Sequence, residues 1–422
     1  MDICVLGAGI VGLSTAYALS NQGHSVTVID RATVGAGASG GNGAQLSYSY
    51  VQPLADASIW AQLPKLLLSK DSPLTFKPQL DLQQWRWGLA FLRACNAHTS
   101  KRSTASLLAL ATISRSSFEQ MMAAEKLHCD YSSTGKLVLY PDTASFAAAQ
   151  QQMALQSALG SQQYALSAKE AVHVEPSLAD YAAQFAGAIH TPSECAVDCL
   201  LLCQGLEAVL RTRGVQFVLN AQIKSLEQRA GLITAVHTVQ GAIEAKYFVM
   251  ALGNDSVTLA RSVGVYLPIY PIKGYSITLD VAQAPAHAAP MINVTDIARK
   301  VVYARIGQRL RVAGLAQLVG NDRSVQPKAI TSLERSTHAL FPQLASCTVQ
   351  LPWAGLRPAT PTGLPIVGVS HRGPVNLIMN TGHGALGLTL AFGTAQQVAQ
   401  LVPHSSVRAA SPTASVIRAR AL

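Results

Sequence analysis

The chain of 422 residues has a formal net charge of +10, and its charged fraction of 13% is well below the usual value of about 25%. Its basic residues are scattered, which argues against a nucleic-acid partner and leaves weak attraction to an anionic substrate or a membrane surface. No signal peptide precedes the first strand and no stretch approaches the roughly 18 apolar residues of a membrane span, so we expect a cytoplasmic protein or one at the cytoplasmic face of the inner membrane.

Residues 1–30 predict a strand, a glycine turn, a helix and a second strand that ends in Asp30. Gly7 permits the tight turn, Gly9 lets a pyrophosphate approach the backbone, and Gly12 lets the helix pack on the strand. The helix N-terminus offers N–H groups and a partial positive charge to phosphates. Asp30 is placed to accept a hydrogen bond from a ribose hydroxyl and to repel a 2′-phosphate. This order predicts a dinucleotide site, and the alternative is a glycine turn in an unrelated α/β unit.

A loop of small residues over 35–45 comes next, where few side chains obstruct a ligand and many backbone N–H groups are available. Beyond the loop, hydrophobic periodicity predicts helices over 55–130, 143–170, 198–213 and 327–345, a last helix to about 402, and strands over 135–140, 187–190, 215–219, 222–228, 232–238, 242–250 and within 266–318. Residues 403–422 are predicted to form a flexible tail.

The order of these elements predicts an α/β fold with two domains. We expect a discontinuous Rossmann-like nucleotide-binding domain with an inserted mixed-sheet α+β substrate domain. The predicted nucleotide-binding segments are residues 1–80, 196–268 and 349–402, and the predicted substrate segments are 81–195 and 269–348.

The seven cysteines are odd in number and mostly dispersed, which argues against a disulfide framework. Cys195, Cys199 and Cys203 recur every four residues and are predicted to share one helix face. A metal or redox cluster is one interpretation. The usual two-residue gap between metal-binding cysteines is missing, so we predict reduced, buried cysteines and no metal site.

Four stretches together resemble one family, the flavin-dependent amine and D-amino-acid oxidoreductases, which include D-amino-acid oxidase, glycine oxidase and sarcosine oxidase. These stretches are the unit of Gly7, Gly9 and Gly12 with Asp30, then 250–253, then 355–358 with Pro365 and Gly368, and finally 380–387. The resemblance covers nearly the whole chain up to about residue 402. It implies FAD as the cofactor.

Within this family, residues 197–199, 270–276 and 305–314 are similar to the branch of bacterial D-amino-acid dehydrogenases. That similarity implies oxidative deamination of D-amino acids by hydride transfer from Cα to flavin N5. The products would be a 2-oxo acid and ammonia, with the electrons passed to a quinone-type acceptor. Two alternatives stay open: an oxygen-using oxidase of glycine, sarcosine or an imino acid, and a non-catalytic subunit that binds a flavin or NAD. The oligomeric state is left open as well.

The resemblance also suggests which residues act on the substrate. It places a substrate-carboxylate arginine at Arg357, and a guanidinium fork suits that purpose because it makes two parallel charge-assisted bonds. The alternative for Arg357 is an ion pair with a structural carboxylate. A tyrosine hydroxyl from Tyr303, Tyr48 or Tyr50 would supplement the clamp. His383 is a structural residue or a general base.

The predicted FAD-binding residues come from these stretches, from the loop over 35–45 and from the strand predicted over 222–228. Ser39 and Asn42 are expected near the phosphates or ribitol. The resemblance places Ile223 at the adenine, and the turn before the last helix is expected at the pyrimidine edge of the flavin ring. The full set is Gly7, Ala8, Gly9, Ile10, Val11, Gly12, Asp30, Arg31, Ser39, Asn42, Gly43, Ile223, Ala251, Leu252, Gly253, Gly382, His383, Gly384, Ala385, Leu386, Gly387 and Leu388.

Overall fold

The computed structural model describes residues 1–51, 53–56, 60, 74–157 and 162–403. Parts of three predictions lie outside the described residues: the helical segment over 57–59 and 61–73, the helix over 158–161, and the tail from residue 404.

The described helices, numbered in chain order, are α1 Ile10–Asn21, α2 Leu82–Ala94, α3 Ala97–Glu125, α4 Thr143–Ser157, α5 Ala168–Val174, α6 Cys199–Thr212, α7 Ser256–Ser262, α8 Pro327–Leu340 and α9 Gly387–Leu401. The described strands are β1 Asp2–Leu6, β2 Ser25–Ile29, β3 Gln45–Leu46, β4 Leu74–Phe76, β5 Lys136–Tyr140, β6 Tyr164–Ser167, β7 Gly187–Thr191, β8 Cys195–Ala196, β9 Gln216–Val218, β10 Ile223–Arg229, β11 Leu232–Thr238, β12 Gly241–Glu244, β13 Tyr247–Met250, β14 Tyr270–Asp280, β15 Asn293–Asp296, β16 Val301–Ile306, β17 Arg309–Leu318, β18 Val349–Ala359, β19 Ile366–Val369 and β20 Leu377–Thr381.

Six strands form one sheet in the order β19-β20-β13-β1-β2-β9, parallel except for β19. Strand β1 is an apolar run that is buried on both faces. Helices α1, α3, α6 and α9 cover one face, and the three-stranded sheet of β10, β11 and β12 covers the other together with α7. Because β1, β2 and β13 run parallel, their carboxyl ends meet at one edge, where Gly7, Asp30 and Ala251 follow the strands.

A second, mixed sheet has the order β18-β14-β17-β16-β15-β5-β7-β6, with β4 paired to β17. Helices α5 and α8 pack on its outer face, where Ala171 and Leu333 join the sheet's own apolar side chains in one buried cluster. The other face contacts the loop after β2, since glycines 41 and 43 of that loop lie against side chains of β18 and β16. The second sheet therefore lies over the carboxyl edge of the first.

The predicted fold class is confirmed, since the chain forms a Rossmann-like parallel sheet and a separate mixed sheet. The boundaries between the two domains differ from the predicted ones. Strand β18 lies in the mixed sheet, so the third nucleotide-binding segment begins at β19 and not at residue 349. Strand β4 also belongs to the mixed sheet, although residues 1–80 were all predicted to be nucleotide-binding. Helix α3 packs on α9 in the nucleotide-binding layer, although it falls within the predicted substrate segment 81–195.

The predicted shared helix face of the three cysteines is wrong. Helix α6 begins after Asp198, because the Oδ1 of this residue accepts hydrogen bonds from the backbone N–H groups of Leu200 and Leu201 and so caps the helix. Cys195 therefore lies in β8, while Cys199 and Cys203 lie on α6. All seven cysteines are free thiols.

Two predicted elements are interrupted. The helix predicted over 143–170 is described from Thr143 to Ser157, and the strand β6 and the short helix α5 take up residues 164–174. The strand predicted over 242–250 is two strands, β12 and β13, which lie in different sheets. Among the described residues, no helix has both the length and the hydropathy needed to cross a bilayer.

Candidate functional site

A cavity of about 1240 Å³ lies between the two sheets. It runs from the glycine turn after β1 and the end of β2, past the loop over 36–47, to the turn before α9. Strands β14, β16, β17 and β18 form its opposite wall. The predicted cofactor-binding residues line it with three exceptions: Ala8, Gly12 and Gly382 lie behind the lining.

Close backbone packing at the glycine turn leaves no space for side chains. Gly7 has φ +114°, and a Cβ there would lie 2.5 Å from the carbonyl oxygen of Ala251. A Cβ on Gly12 would lie 1.8 Å from the carbonyl oxygen of Gly7. Gly9 caps α1 without any side-chain hydrogen bond. The N-terminus of α1 therefore faces the cavity with its positive dipole end.

The carboxylate of Asp30 is held by the backbone of this turn. Its Oδ2 accepts from the N–H of Ala8 at 2.7 Å, and its Oδ1 accepts from the N–H of Ala32 at 3.0 Å. Asp30 lines the cavity, and the next residue, Arg31, pairs with Asp255 at 2.8 Å at the cavity rim. The structure thus places both residues at the end of the cavity beside the glycine turn, where the sequence predicts the dinucleotide site.

The loop over 36–47 is tied to both domains. Ser39 Oγ accepts from the N–H of Ile10 at 3.0 Å, so it contacts the start of α1. Arg311, a buried residue of β17, donates through Nη1 to the carbonyl of Asn42 at 2.9 Å. Arg311 has no function assigned from the sequence, although an arginine followed by the apolar run over 312–316 is a signal.

The turn before α9 approaches the cavity from the other end. Gly382 and Gly384 adopt φ +79° and +56°, which allows the chain to turn sharply there. Helix α9 begins at Gly387 with no side-chain cap and no acidic residue in its first turn. Its positive dipole end is therefore available to a ligand that carries negative charge.

His383 lies in this turn and is almost fully buried. Its Nε2 is 3.0 Å from Thr394 Oγ1, and burial lowers the pKa of His383 to about 4. The imidazole is therefore neutral at physiological pH and a weak proton acceptor, which favours a structural role over a general base.

This pKa predicts a specific loss of stability in acid. Because the folded pKa lies below the ordinary 6.5, the unfolded state binds the proton more tightly, so His383 destabilises the fold as the pH falls. From about pH 7 to about pH 5 the cost is about 2 kcal/mol. We expect the variant His383→Gln to lose less unfolding free energy over this interval than the wild type, measured by urea denaturation. The exposed His371, replaced in the same way, is the control, and equal losses in all three proteins would contradict the prediction.

Arg357 extends from β18 into the cavity. Its Nη1 donates to the carbonyl of Leu315 at 2.9 Å, and it passes over Gly274, where a Cβ would lie 2.3 Å from Nη2. Within the described chain no carboxylate lies within ion-pair distance of Arg357. Burial lowers its pKa. A half-buried guanidinium without a protein carboxylate is only partly compensated, so this geometry favours a ligand carboxylate over a structural ion pair.

The structure separates the three candidate tyrosines. Tyr50 lines the cavity. Tyr303 does not, because neighbouring residues of a strand point to opposite faces and Val302 is the one that faces the cavity. The ring of Tyr303 packs edge-on against Phe341 in the outer core, so the clamp hydroxyl predicted there is wrong. Tyr48 is also buried away from the cavity, beneath Arg115.

The residues present fit FAD. Glycines that admit no Cβ lie at the N-terminus of α1, and the N-terminus of α9 has no side-chain cap. The cavity between them is large enough for an extended dinucleotide. The α1 turn and Asp30 would hold the adenosine and pyrophosphate half, and residues 383–388 would hold the ring.

Comparison with known proteins agrees with this fit. Residues 2–401 match the family of FAD dependent oxidoreductases. D-amino acid dehydrogenase 2 of Ralstonia nicotianae is 45% identical over an alignment of 412 positions that covers 95% of this chain and 96% of the relative. The protein of the same name from Pseudomonas aeruginosa is 42% identical, covering 95% of this chain and 94% of its own. Glycine oxidase from Bacillus cereus superimposes with a TM-score of 0.73 at 20% identity, covering 95% of this chain and 94% of its own, which shows a shared fold.

Proposed function

This chain belongs to the family of FAD-dependent oxidoreductases, and from that membership we propose that it is a D-amino-acid dehydrogenase. Its substrate is a D-amino acid, and its products are a 2-oxo acid and ammonia. The relatives that share 45% and 42% of their residues with it both bear the name D-amino acid dehydrogenase 2, which supports this substrate class.

The position of Arg357 in the cavity is the main support for the proposal. Its guanidinium reaches into the cavity from β18, which bridges at Ala359 to His383 in the turn before α9. An amino acid held by its carboxylate at Arg357 therefore lies beside the place where the flavin ring would bind. Tyr50 lines the same cavity and is the remaining tyrosine candidate for a second contact.

When bound, FAD supplies a two-electron acceptor that takes the Cα hydrogen as a hydride. The substrate amine must first lose one proton to water so that its lone pair can form the C=N bond of the imino acid. Water then adds to the imino carbon and ammonia leaves. The protein contributes orientation through Arg357, and the N-terminus of α9 would stabilise negative charge on the bound flavin.

The electron acceptor is proposed to be a quinone. The formal net charge of +10 is compatible with contact at the cytoplasmic face of the inner membrane, where a quinone would be reached. We place the enzyme in the cytoplasm or at that membrane face.

The test is an anaerobic screen of D- and L-amino acids against the FAD-loaded protein, read by flavin absorbance. We expect D-amino acids to bleach the flavin and their L-enantiomers to leave it oxidised. Reduced enzyme is then mixed with oxygen or with a soluble quinone in a stopped-flow instrument, and faster reoxidation by the quinone is expected. Bleaching by no amine would indicate a non-catalytic flavoprotein, and fast reoxidation by oxygen would indicate an oxidase.

A further inference from the structure

Lys136, the first residue of β5, is buried and points into the cavity. Its Nζ donates to Ser47 Oγ at 2.9 Å and lies 4.7 Å from the centre of the Tyr50 ring. Both of these neighbours line the cavity too. An ammonium has three N–H donors, and the described residues accept one of them, so two remain for a ligand.

The charge of Lys136 has no close counter-ion. In the described part of the chain no carboxylate lies within ion-pair distance of Nζ. Glu194 favours the charged ammonium from farther away, and burial still lowers the pKa of Lys136 to about 8. The Oε1 of Glu194 accepts from the N–H of Ser49 at 2.7 Å, and it lies outside the cavity lining. Lys136 in turn favours the charged form of the buried Glu194, so it has an electrostatic role in the fold, and two of its N–H donors still lack an acceptor in the described part of the chain.

The cluster of Lys136, Ser47 and Tyr50 lies at the same end of the cavity as Arg357. The N–H of Ser47 donates to Thr389 Oγ1 at 3.2 Å, in the first turn of α9. The strand that carries Arg357 bridges to the turn just before this helix. A buried and a half-buried cation, each without a carboxylate within ion-pair distance in the described part of the chain, thus flank one compartment, and each approaches it from a different strand of the mixed sheet.

We propose that Lys136 is the side-chain anchor of the substrate site: with Arg357 holding the α-carboxylate, the ammonium of Lys136 donates a hydrogen bond to an oxygen at the end of the substrate side chain. The favoured substrates are then D-amino acids with a side-chain carboxylate or carboxamide. Apolar side chains of the same length are less favoured because they leave the ammonium without an acceptor, and cationic ones are repelled. This inference rests on the proposed function and names its substrate class.

The kinetic test compares D-glutamate and D-glutamine with D-norleucine and D-lysine in the wild type and in Lys136→Met. We expect the wild type to prefer the first two substrates in kcat/KM. In Lys136→Met the ratio of kcat/KM for D-glutamate or D-glutamine to that for D-norleucine should fall about tenfold or more. The change should come mainly from KM, because one charged hydrogen bond is removed. D-norleucine should be turned over at least as well by the variant. Lys328→Met, at an exposed lysine, is the matched control.

A wild type without the preference, or a variant that slows all four substrates equally, would overturn the assignment. A second measurement needs no turnover and applies even if Lys136→Met does not fold. Glutarate, adipate and pimelate are titrated into the FAD-loaded wild type, each against the monocarboxylate of equal length, with the flavin spectrum as readout. At least one dicarboxylate should bind about tenfold tighter than its partner. Equal affinities throughout would refute the anchor. If instead no amino acid is oxidised while a dicarboxylate binds tighter, the proposed function fails and the anchor stands.

Discussion

Replacing Arg357 with alanine is expected to raise the KM for the amino-acid substrate about a hundredfold or more, since a charged bidentate contact worth roughly 3 kcal/mol is lost. The KM of Arg357→Lys should lie between those of Arg357→Ala and the wild type, because an ammonium keeps the charge but lacks the planar fork. Steady-state kinetics on a substrate found in the anaerobic screen measures both variants, and Arg335→Ala at an exposed arginine is the control.

The same variant distinguishes a substrate clamp from a structural arginine. The described chain offers Arg357 a backbone carbonyl at Leu315 but no carboxylate within ion-pair distance. Removing a half-buried charge that has no carboxylate partner should therefore leave the unfolding free energy unchanged or slightly higher. An unchanged KM would remove Arg357 from the site. A normal KM with a large loss of stability would show that the guanidinium serves the fold.

Replacing Gly12 with alanine is expected to lower FAD affinity by at least about tenfold and to destabilise the protein by about 3 kcal/mol. The added Cβ would lie 1.8 Å from the carbonyl oxygen of Gly7, and a clash with backbone cannot be relieved by rotating a side chain. Helix α1 must move away from β1, which displaces the N–H groups that face the phosphates. Fluorescence titration with FAD and urea unfolding of the apoprotein measure the two effects.

Gly88→Ala is the matched control for this variant. Gly88 also lies within a helix, α2, and a Cβ there would meet nothing within 4 Å. Alanine should stabilise the fold by about 0.5–1 kcal/mol at that position because it restricts the unfolded chain. If Gly12→Ala bound FAD as the wild type does, the glycine turn would not be the phosphate cradle.

Several properties of the site depend on long-range contacts, which neighbouring residues in the sequence do not reveal. Tyr303 and Val302 are neighbours in β16, and the sequence shows that they face opposite ways without showing which of them faces the cavity. Strand β18 precedes the last strands of the nucleotide-binding sheet, yet its backbone pairs with β14 of the other sheet. The apolar pattern of a strand does not specify its partner, so the domain boundary at residue 349 was misplaced.

Lys136 is a site residue that the sequence analysis did not identify. In the sequence it is one lysine at the start of an apolar strand, and such a lysine usually lies at a solvated strand end. Only the packing of β5 beside the loop that carries Ser47 and Tyr50 makes it a buried cation in a cavity. The signal was present as an unusual residue type, but its meaning depended on contacts between residues 89 positions apart.

The sequence by itself determined the dinucleotide turn and the nucleotide-binding strands around it, because Gly7, Gly9 and Gly12 act through steric limits over a few neighbouring residues. The tertiary structure alone decided which side chains share the cavity. Arg357 and Lys136 come from strands more than two hundred residues apart, and their meeting depends on sheet order and strand pairing, which are set by the collective burial of the whole mixed sheet.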